Sequence, residues 1–378
     1  MRDSAGVEIV HNADLGPARA TWQLSQRPLL TFGRQNAGDP AGMFRVVGAQ
    51  RLRDGRVVIA NSGTNELKLY ASDGRFLKAV GGSGSGPGEF RELTQIFLLP
   101  PDSILVYDAS LERLSVFDSR GRYTRSFRFD SSIDPIVFPA GVLPNGDLLA
   151  LNASHMVALA NEGVNVDSAL IIRFDRDGAL IHKLGRFAQN WRYRKRSGDL
   201  QTVLPIPLSP RGQLLISREG YCHTTGETFS LRCYDLDGVP HRIIDLDYEL
   251  IPTTEAMVEK HFEEQWRNAP ENRRRAIMRL RQELPIPDHL PAIASASVDA
   301  AGNFWLQEYP DIGAPVTHAL WRIFSPNGRL ISQIEMPRRF APFEIGVDFV
   351  IGAWRDDLDV EYVGVYCLSK ATGECGMR

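Results

Sequence analysis

A marker of one aromatic residue and one glycine recurs five times in this chain and constrains its fold more than any other feature. In each copy the aromatic residue ends a short apolar segment and stands four positions before a glycine. The five pairs are Tyr70 and Gly74, Phe117 and Gly121, Phe174 and Gly178, Tyr234 and Gly238, and Phe324 and Gly328. Glycine supplies the positive φ that tight hairpin turns need. Each marker therefore predicts a β-hairpin.

Each marker belongs to a longer unit. Another strand with its own turn precedes the aromatic, as in DGRVVIA, PDSILVY and, in the fourth unit, RGQLLIS. A further apolar segment precedes that strand, such as LTQIFLL in the second unit and VLPIPLS in the fourth, and forms the innermost strand. The unit thus predicts four short antiparallel strands. Four-stranded units repeated at roughly 40 to 50 residues are typical of β-propeller blades, because a single blade cannot bury its own faces.

Five marked blades leave one blade to be built from the two ends of the chain, since an open ring would expose strand edges. The tail offers strands around EIGV, DFVIGAW and EYVGVYCLS, and the head offers TWQLSQRPLLTFG. We therefore predict an all-β fold, a single six-bladed β-propeller domain over residues 1–378 with four-stranded antiparallel blades and head-to-tail closure of the last blade.

The first part of the chain, Leu29–Asp130, resembles consecutive NHL repeats. GSGSGPGEF at Gly82–Phe90 is a close match, RQNAGDPAGMF at Arg34–Phe44 is a weaker copy, and Asp108 followed by LERLSVFD matches the family's aspartate and third strand. The resemblance implies a binding platform. It also implies a periplasmic or extracellular setting, because bacterial six-bladed NHL-like proteins are commonly exported. The first residues lack the charged-then-apolar run of a secretory signal.

Insertions between the strands fall on one face of the predicted ring. The turns between strands one and two and between strands three and four of each blade are short. In blade four we place the first of these turns at Gly212. Longer segments join strands two and three of later blades, a loop spans Gly185–Leu204, and residues 253–290 form an insertion between blades four and five. Because function usually resides on loops held by a rigid scaffold, we expect a ligand to engage this loop-rich face.

The insertion at 253–290 reads as a helical hairpin. Thr253 or Thr254 can cap a first, glutamate-rich helix, and Asn268 with Glu271 resembles a capping box for a second, arginine-rich helix. The apolar residues Met257, Phe262, Trp266, Ile277 and Leu280 are available for the seam or for the ring. The hairpin is then either a solvated element that is rich in charged residues, or a functional element that acts as a lid or docks a partner.

Two groups of residues on the loop-rich face are candidates for binding. The loop RFAQNWRYRKRSG at Arg186–Gly198 interleaves aromatic and basic residues, which can stack on sugars or bases and pair with phosphate or carboxylate. Histidines and a carboxylate in other loops can bind a metal or act as a general base. The predicted ligand-binding residues are Trp191, Arg192, Tyr193, Arg194, His155, His223, Glu308, Tyr309 and His318. Each also has a plainer interpretation as a solvated or structurally hydrogen-bonded side chain.

No complete catalytic motif is present: G-x-S-x-G, H-E-x-x-H and the P-loop are all absent from the sequence. The innermost segments offer only Gln50, Gln95 and Asp299, whereas calcium requires six or more oxygen ligands. We therefore predict no catalytic residue, metal or cofactor, and a non-catalytic binding or assembly module. The alternative is a metal-dependent hydrolase or lyase at the central channel, like the lactonases and arylesterases of related six-bladed folds.

Charge and cysteine usage bear on partners and compartment. The net charge of −3 argues against a general nucleic-acid binder, and no long apolar run predicts a transmembrane segment. We expect a protein, small-molecule or glycan ligand. The pairs Cys222–Cys233 and Cys367–Cys375 each flank a turn, so they are either disulfides in an oxidising compartment or free thiols packed as small hydrophobic residues.

Overall fold

The computed structural model describes residues 2–4, 6–14, 22–33, 42–130, 132, 136–152, 162–197, 200–267, 270–313, 317–356 and 360–370. The head contains β1 (Arg2–Ser4), β2 (Val7–Asn12), β3 (Gln23–Leu24) and β4 (Leu30–Phe32). Blade one contains β5 (Val46–Arg51), β6 (Val57–Asn61), β7 (Glu66–Tyr70) and β8 (Phe76–Gly81). Blade two contains β9 (Leu93–Leu99), β10 (Ser103–Asp108), β11 (Arg113–Phe117) and β12 (Tyr123–Phe127).

Blades three and four carry additions to the four-stranded unit. Blade three contains β13 (Val137–Val142), β14 (Leu148–Asn152), β15 (Gly163–Phe174) and β16 (Leu180–Ser197), followed by β17 (Leu200–Pro205). Blade four contains β18 (Gln213–Ile216), β19 (Gly220–Thr224), β20 (Ser230–Asp235) and β21 (Pro240–Leu246). The helices α1 (Glu255–Trp266) and α2 (Glu271–Glu283) come next.

Blades five and six complete the ring. Blade five contains β22 (Ile293–Val298), β23 (Phe304–Glu308), β24 (His318–Phe324) and β25 (Leu330–Pro337). Blade six contains β26 (Ala341–Ile345), β27 (Phe349–Arg355) and β28 (Glu361–Ser369). First strands of successive blades contact each other from β5 through β9, β13 and β18 to β22, and β26 contacts β5. The predicted six-bladed β-propeller is confirmed.

The marker sequence forms hairpin turns for a local reason. In three copies the residue after the aromatic is an aspartate, at positions 118, 175 and 235, whose Oδ1 accepts the backbone N–H groups two and four residues later. This hydrogen bonding and the positive φ of the following glycine both favour the turn. Four of the five marker aromatics are buried, so the same short motif makes the turn and anchors the blade.

Six apolar clusters within the described residues fill the spaces between adjacent blades. Between blades one and two, for example, Phe90 and Phe117 lie with ring centroids 5.9 Å apart, packed with buried Leu67 and Val106. Burial of apolar side chains between sheets is the main favourable contribution to stability in such a ring.

The head closes blade six, as predicted. Strand β4 pairs antiparallel with β28, with Phe32 opposite Val363 and Leu30 opposite Val365, and β3 pairs with the end of the same strand. Strands β1 and β2 were not predicted. They form a hairpin whose second strand runs parallel to β21 and widens the sheet of blade four.

Blade four corrects two expectations. Its first strand is β18, which the sequence had suggested as the second strand, and its second strand is GYCHT in β19. The turn between them is at Ser217 and Gly220, where the Ser217 N–H donates to the Gly220 carbonyl at 3.0 Å, so Gly212 is not in that turn. The segment VLPIPLS precedes blade four instead of lining the channel, because its first residues pair in β17 with blade three.

The segment Arg186–Gly198 is not a loop, which corrects another expectation. Up to Ser197 it is the second half of the long strand β16, which pairs with β15 on one side and with β17 on the other. Its alternating aromatic and basic residues suit a strand with two differing faces. The basic side chains also find a buried partner, since Arg192 and Arg194 both bond to Asp167 across the sheet.

The insertion between blades four and five is a helical hairpin, as predicted. Thr254 is the cap of α1, its side chain accepting the Met257 N–H at 3.3 Å, while the predicted cap Asn268 lies outside the described residues. Arg281 of α2 forms ion pairs with Glu255 and Glu259 of α1, so the helices lie antiparallel.

The hairpin also packs on the ring. Met257, Phe262 and Ile277 are buried with Leu208 and Ile312 from segments beside blades four and five. This contact excludes a hairpin that is solvated on all sides.

One disulfide is fully described, between Cys222 of β19 and Cys233 of β20. The two residues lie directly opposite each other across the strand pair. Cys367 is also disulfide-bonded, whereas Cys375 lies outside the described residues.

Candidate ligand-binding cavity

A cavity of about 370 Å³ lies between the helical hairpin and the ring. The hairpin contributes one wall, with His261 and Phe262 from α1 and Ile277 from α2. The opposite wall comes from the end of β17, from the segment that follows it, and from blade five. Its residues are Leu204, Pro205, Ile206, Pro207, Leu208, Ser209, Arg211, Pro291, Ile293, Ala294 and Tyr309, and Leu284 after α2 completes the lining.

Three titratable side chains line this cavity. Burial lowers the pKa of His261 below its usual range, so the imidazole is neutral at neutral pH. Burial raises the pKa of Tyr309, which keeps its hydroxyl protonated as a hydrogen-bond donor. The guanidinium of Arg211 acts on both groups, lowering both pKa values.

The lining has the composition of a small-molecule site. Such sites are concave and mainly apolar, with a few polar groups that fix the orientation of the ligand, and commonly occupy 300 Å³ or more, as an order-of-magnitude figure. Here apolar residues from three segments surround a neutral imidazole, a phenol and one cation. This arrangement can hold an apolar molecule that carries an anionic or hydrogen-bond-accepting group.

A second cavity of about 350 Å³ lies beside the first and contains Trp191. Val164 of β15 and the proline-rich segment from Pro285 to Leu290 form its other walls, and Ile206 is common to both cavities. Two of the sequence-predicted residues, Trp191 and Tyr309, therefore border neighbouring cavities on the loop-rich face.

The other residues predicted in blade three are engaged in the sheet. Arg194 is buried, and its guanidinium lies 2.9 Å from Asp167 Oδ1, while Arg192 Nε lies 3.3 Å from Oδ2 of the same carboxylate. Tyr193 is half-buried in β16 opposite Val164 and Leu204. Both arginines thus hold the extended strands together.

The predicted histidines and Glu308 are not brought together. His223 is half-buried in an aromatic stack between Phe187 and Tyr234, with Nε2 3.2 Å from the tyrosine hydroxyl, and burial lowers its pKa to about 4. Glu308 accepts from buried Arg322 at 2.5 Å. His318 is exposed at the start of β24. His155 lies outside the described residues.

Sequence reasoning missed Arg211 and His261 as site residues. His261 stands on the face of α1 next to buried Phe262, which only the packing of the hairpin directs to the cavity. Among the polar residues proposed for the channel, Asp299 accepts four hydrogen bonds from Ala301, Asn303 and Trp305 in and beside its own turn. Over the described part of the chain, no three metal-ligating side chains converge, and no helix is both long and apolar enough to cross a membrane.

Comparison with known proteins supports the architecture. Residues 45–143, from blade one to the first strand of blade three, match the model of the DUF5128 family, which is described as a 6-bladed beta-propeller. That description agrees on the six blades and does not carry the NHL name. A search of curated proteins finds no match.

Solved structures are similar over nearly the whole chain. A member of the DUF4221 family from Bacteroides vulgatus is 9% identical, with a TM-score of 0.55 over 93% of this chain and 99% of that one. A protein from Bacteroides fragilis, provisionally named as exported, is 13% identical, with a TM-score of 0.50 over 96% of this chain and 100% of that one. At such low identity the similarity concerns the fold alone, and that fold is a six-bladed β-propeller.

Proposed function

We propose that this protein is a binding module whose ligand occupies the cavity between the helical hairpin and blades four and five. The observation that carries the proposal is the cavity itself, about 370 Å³ with apolar walls and the polar groups of Arg211, His261 and Tyr309. The ligand class that fits is a small, mainly apolar molecule with an anionic or hydrogen-bond-accepting group. The NHL-like repeats of the first blades support a role as a binding platform.

The proposal is tested with 1-anilinonaphthalene-8-sulfonate, an apolar dye that carries one anionic group and fluoresces when it leaves water. We expect saturable binding to the wild-type protein. Ile277→Trp fills the cavity and should weaken binding by about tenfold or more, because the ligand must then displace packed atoms. Arg211→Gln removes the cation and should weaken binding several-fold, an effect that shrinks as salt is added.

Ile331→Trp is the matched control. Ile331 lies on β25 and is 41% exposed, so the same substitution there leaves the cavity unchanged. Dye affinity that is the same in wild type, Ile277→Trp and Arg211→Gln would contradict the proposal. Melting curves of all variants separate lost binding from lost folding.

We also propose that the protein works outside the cytoplasm. The disulfide between Cys222 and Cys233 supports this location, because disulfides form and persist in oxidising compartments. The resemblance to exported NHL-like proteins favours the same setting.

A further inference from the structure

A larger cavity, of about 700 Å³, lies on the opposite face, where blades five, six and one meet. It is lined by the end of β5 and the turn after it, by the turn between β26 and β27, and by Ala300 of blade five. This face carries the short turns, and the sequence analysis predicts ligand binding on the other face. The cavity shares no lining residue with the one under the hairpin.

A cation lines this cavity. The guanidinium of Arg51 lies over the ring of Phe349, 4.8 Å from its centroid. Among the described residues no carboxylate forms an ion pair with it, although the neighbouring Arg56 is paired with Asp54 at 2.7 Å. The N–H edge of the Arg51 guanidinium is therefore available to an anion, and carboxylates bind guanidinium groups along this edge.

A carboxylate lines the same cavity. Glu344 of β26 accepts the backbone N–H of Arg51 at 2.5 Å through Oε2, yet it forms no ion pair with the Arg51 guanidinium or with another described side chain. A charged group with limited access to water costs free energy unless a partner of opposite charge is present. Arg51 and Glu344 thus face one cavity without forming an ion pair, although the charge of Arg51 acts to lower the Glu344 pKa.

The remaining lining includes the charged side chains of Arg53, Asp54 and Asp348, and it also supplies an apolar surface. Phe349 and Leu52 are buried at the wall, and Val347 on the rim is 59% exposed. A ligand that satisfies this set carries an anionic group for Arg51, a cationic group for Glu344, and an apolar part for Val347.

We propose that this cavity binds a free α-amino acid with an apolar side chain, its carboxylate on the Arg51 guanidinium and its ammonium group on the Glu344 carboxylate. The two charges of such a molecule are separated by one carbon atom, so both can lie within a single cavity. The site is independent of the cavity under the hairpin.

Calorimetric titration with three probes tests this assignment. The probes are L-leucine, 4-methylpentanoate, which is leucine without its amine, and 3-methylbutylamine, which is leucine without its carboxylate. At pH 8, above the pKa of about 7 that burial gives Glu344, the carboxyl group is ionised. Leucine should bind about tenfold or more tightly than either analogue, since each analogue lacks one charge-assisted contact.

Two variants should each remove one of the two charged contacts with leucine. Arg51→Gln should reduce the affinity for leucine to that for 3-methylbutylamine and leave the amine's own affinity unchanged. Glu344→Gln should reduce it to that for 4-methylpentanoate. Arg75→Gln, at an exposed position beside the other turn of blade one and outside the cavity lining, is the control and should bind leucine like the wild type.

Three results would overturn the assignment. They are no heat from leucine at millimolar concentration, equal affinities for the three probes, and an equal loss for all three probes in both variants. The last pattern would indicate a general disturbance of the fold.

Discussion

At the scale of single residues, buried charged side chains differ in how far their neighbours compensate the free-energy cost of burial. Arg322 is buried and donates to Glu308, Asp14 and Gln333, so two carboxylates compensate its charge and an amide oxygen accepts a further hydrogen bond. Within the described part of the chain, Glu344 accepts one hydrogen bond, from a backbone N–H, and burial raises its pKa from 4.5 to about 7. The difference is that Arg322 lies in a filled interface, whereas Glu344 borders a cavity.

The raised pKa of Glu344 predicts a specific pH dependence of stability. Between pH 4.5 and about 7 the folded chain keeps a proton that the unfolded chain releases, so the free energy of unfolding falls as pH rises through this window. The total fall in the free energy of unfolding across this window is about 3 kcal/mol. Glu344→Gln removes it, so the variant should gain stability relative to wild type between pH 5 and pH 8 in urea unfolding.

The control for this prediction is Glu335→Gln, which neutralises an exposed carboxylate on β25. Its stability relative to wild type should change little between the two pH values. If Glu344→Gln shows the same relative stability at pH 5 and pH 8, its carboxyl group is not perturbed as described.

At the scale of elements, the hairpin of α1 and α2 is an addition to a complete ring. Its two ends meet in a short antiparallel pair: the Thr253 N–H donates to the Asp288 carbonyl at 2.8 Å, and the Leu290 N–H donates to the Ile251 carbonyl at 2.9 Å. None of the blade-to-blade clusters includes a residue of the helices. The blades can therefore assemble without it.

Replacing residues 255–286 by a short Gly-Ser linker should leave a folded propeller, because the paired ends stay close. Exposure of Leu208 and Ile312 should cost about 2 kcal/mol apiece, which lowers the melting temperature. Dye binding should disappear with the cavity wall. Circular dichroism and thermal melting measure the folding and the melting temperature, and fluorescence titration measures the dye binding. An aggregated product, or dye binding that survives, would contradict this account of the hairpin.

At the scale of the whole molecule, the ring is held closed by one short pairing of head and tail. Phe32 of β4 is buried with Tyr70 of blade one and Val363 of blade six, so it belongs to an interface between blades. The hairpin of β1 and β2 lies elsewhere, against blade four, where Asn12 bonds to Gly328 and Leu330 of blade five.

Two truncations separate these roles. Deleting residues 1–13 removes the β1–β2 hairpin and should lower the melting temperature while unfolding stays cooperative. Deleting residues 1–33 also removes β3 and β4, which leaves β28 as an open edge and takes Phe32 out of its interface. That form should lose cooperative unfolding. A deletion of residues 1–33 that melts like the wild type would show that the ring does not depend on this closure.

The blades could be predicted from sequence because their signals are local. An aromatic and a glycine within five residues, joined in three of the five copies by an aspartate, determine a turn, and in four copies the aromatic is a buried anchor. The cavity could not be predicted, since it depends on how α1 packs on the segment after β17, which brings His261 and Arg211 together across 50 residues of chain. The sequence of the long strand β16 indicates a loop because its basic residues are typical of solvent-exposed segments, whereas their partner Asp167 lies in another strand.

The most direct test of the central claim is a crystal structure of the protein with 1-anilinonaphthalene-8-sulfonate bound. We predict density for the dye under the helical hairpin, with its rings against Phe262 and Ile277 and its sulfonate near Arg211 and Tyr309. Density for the dye only at other places on the molecule, with this cavity filled by water, would contradict the claim.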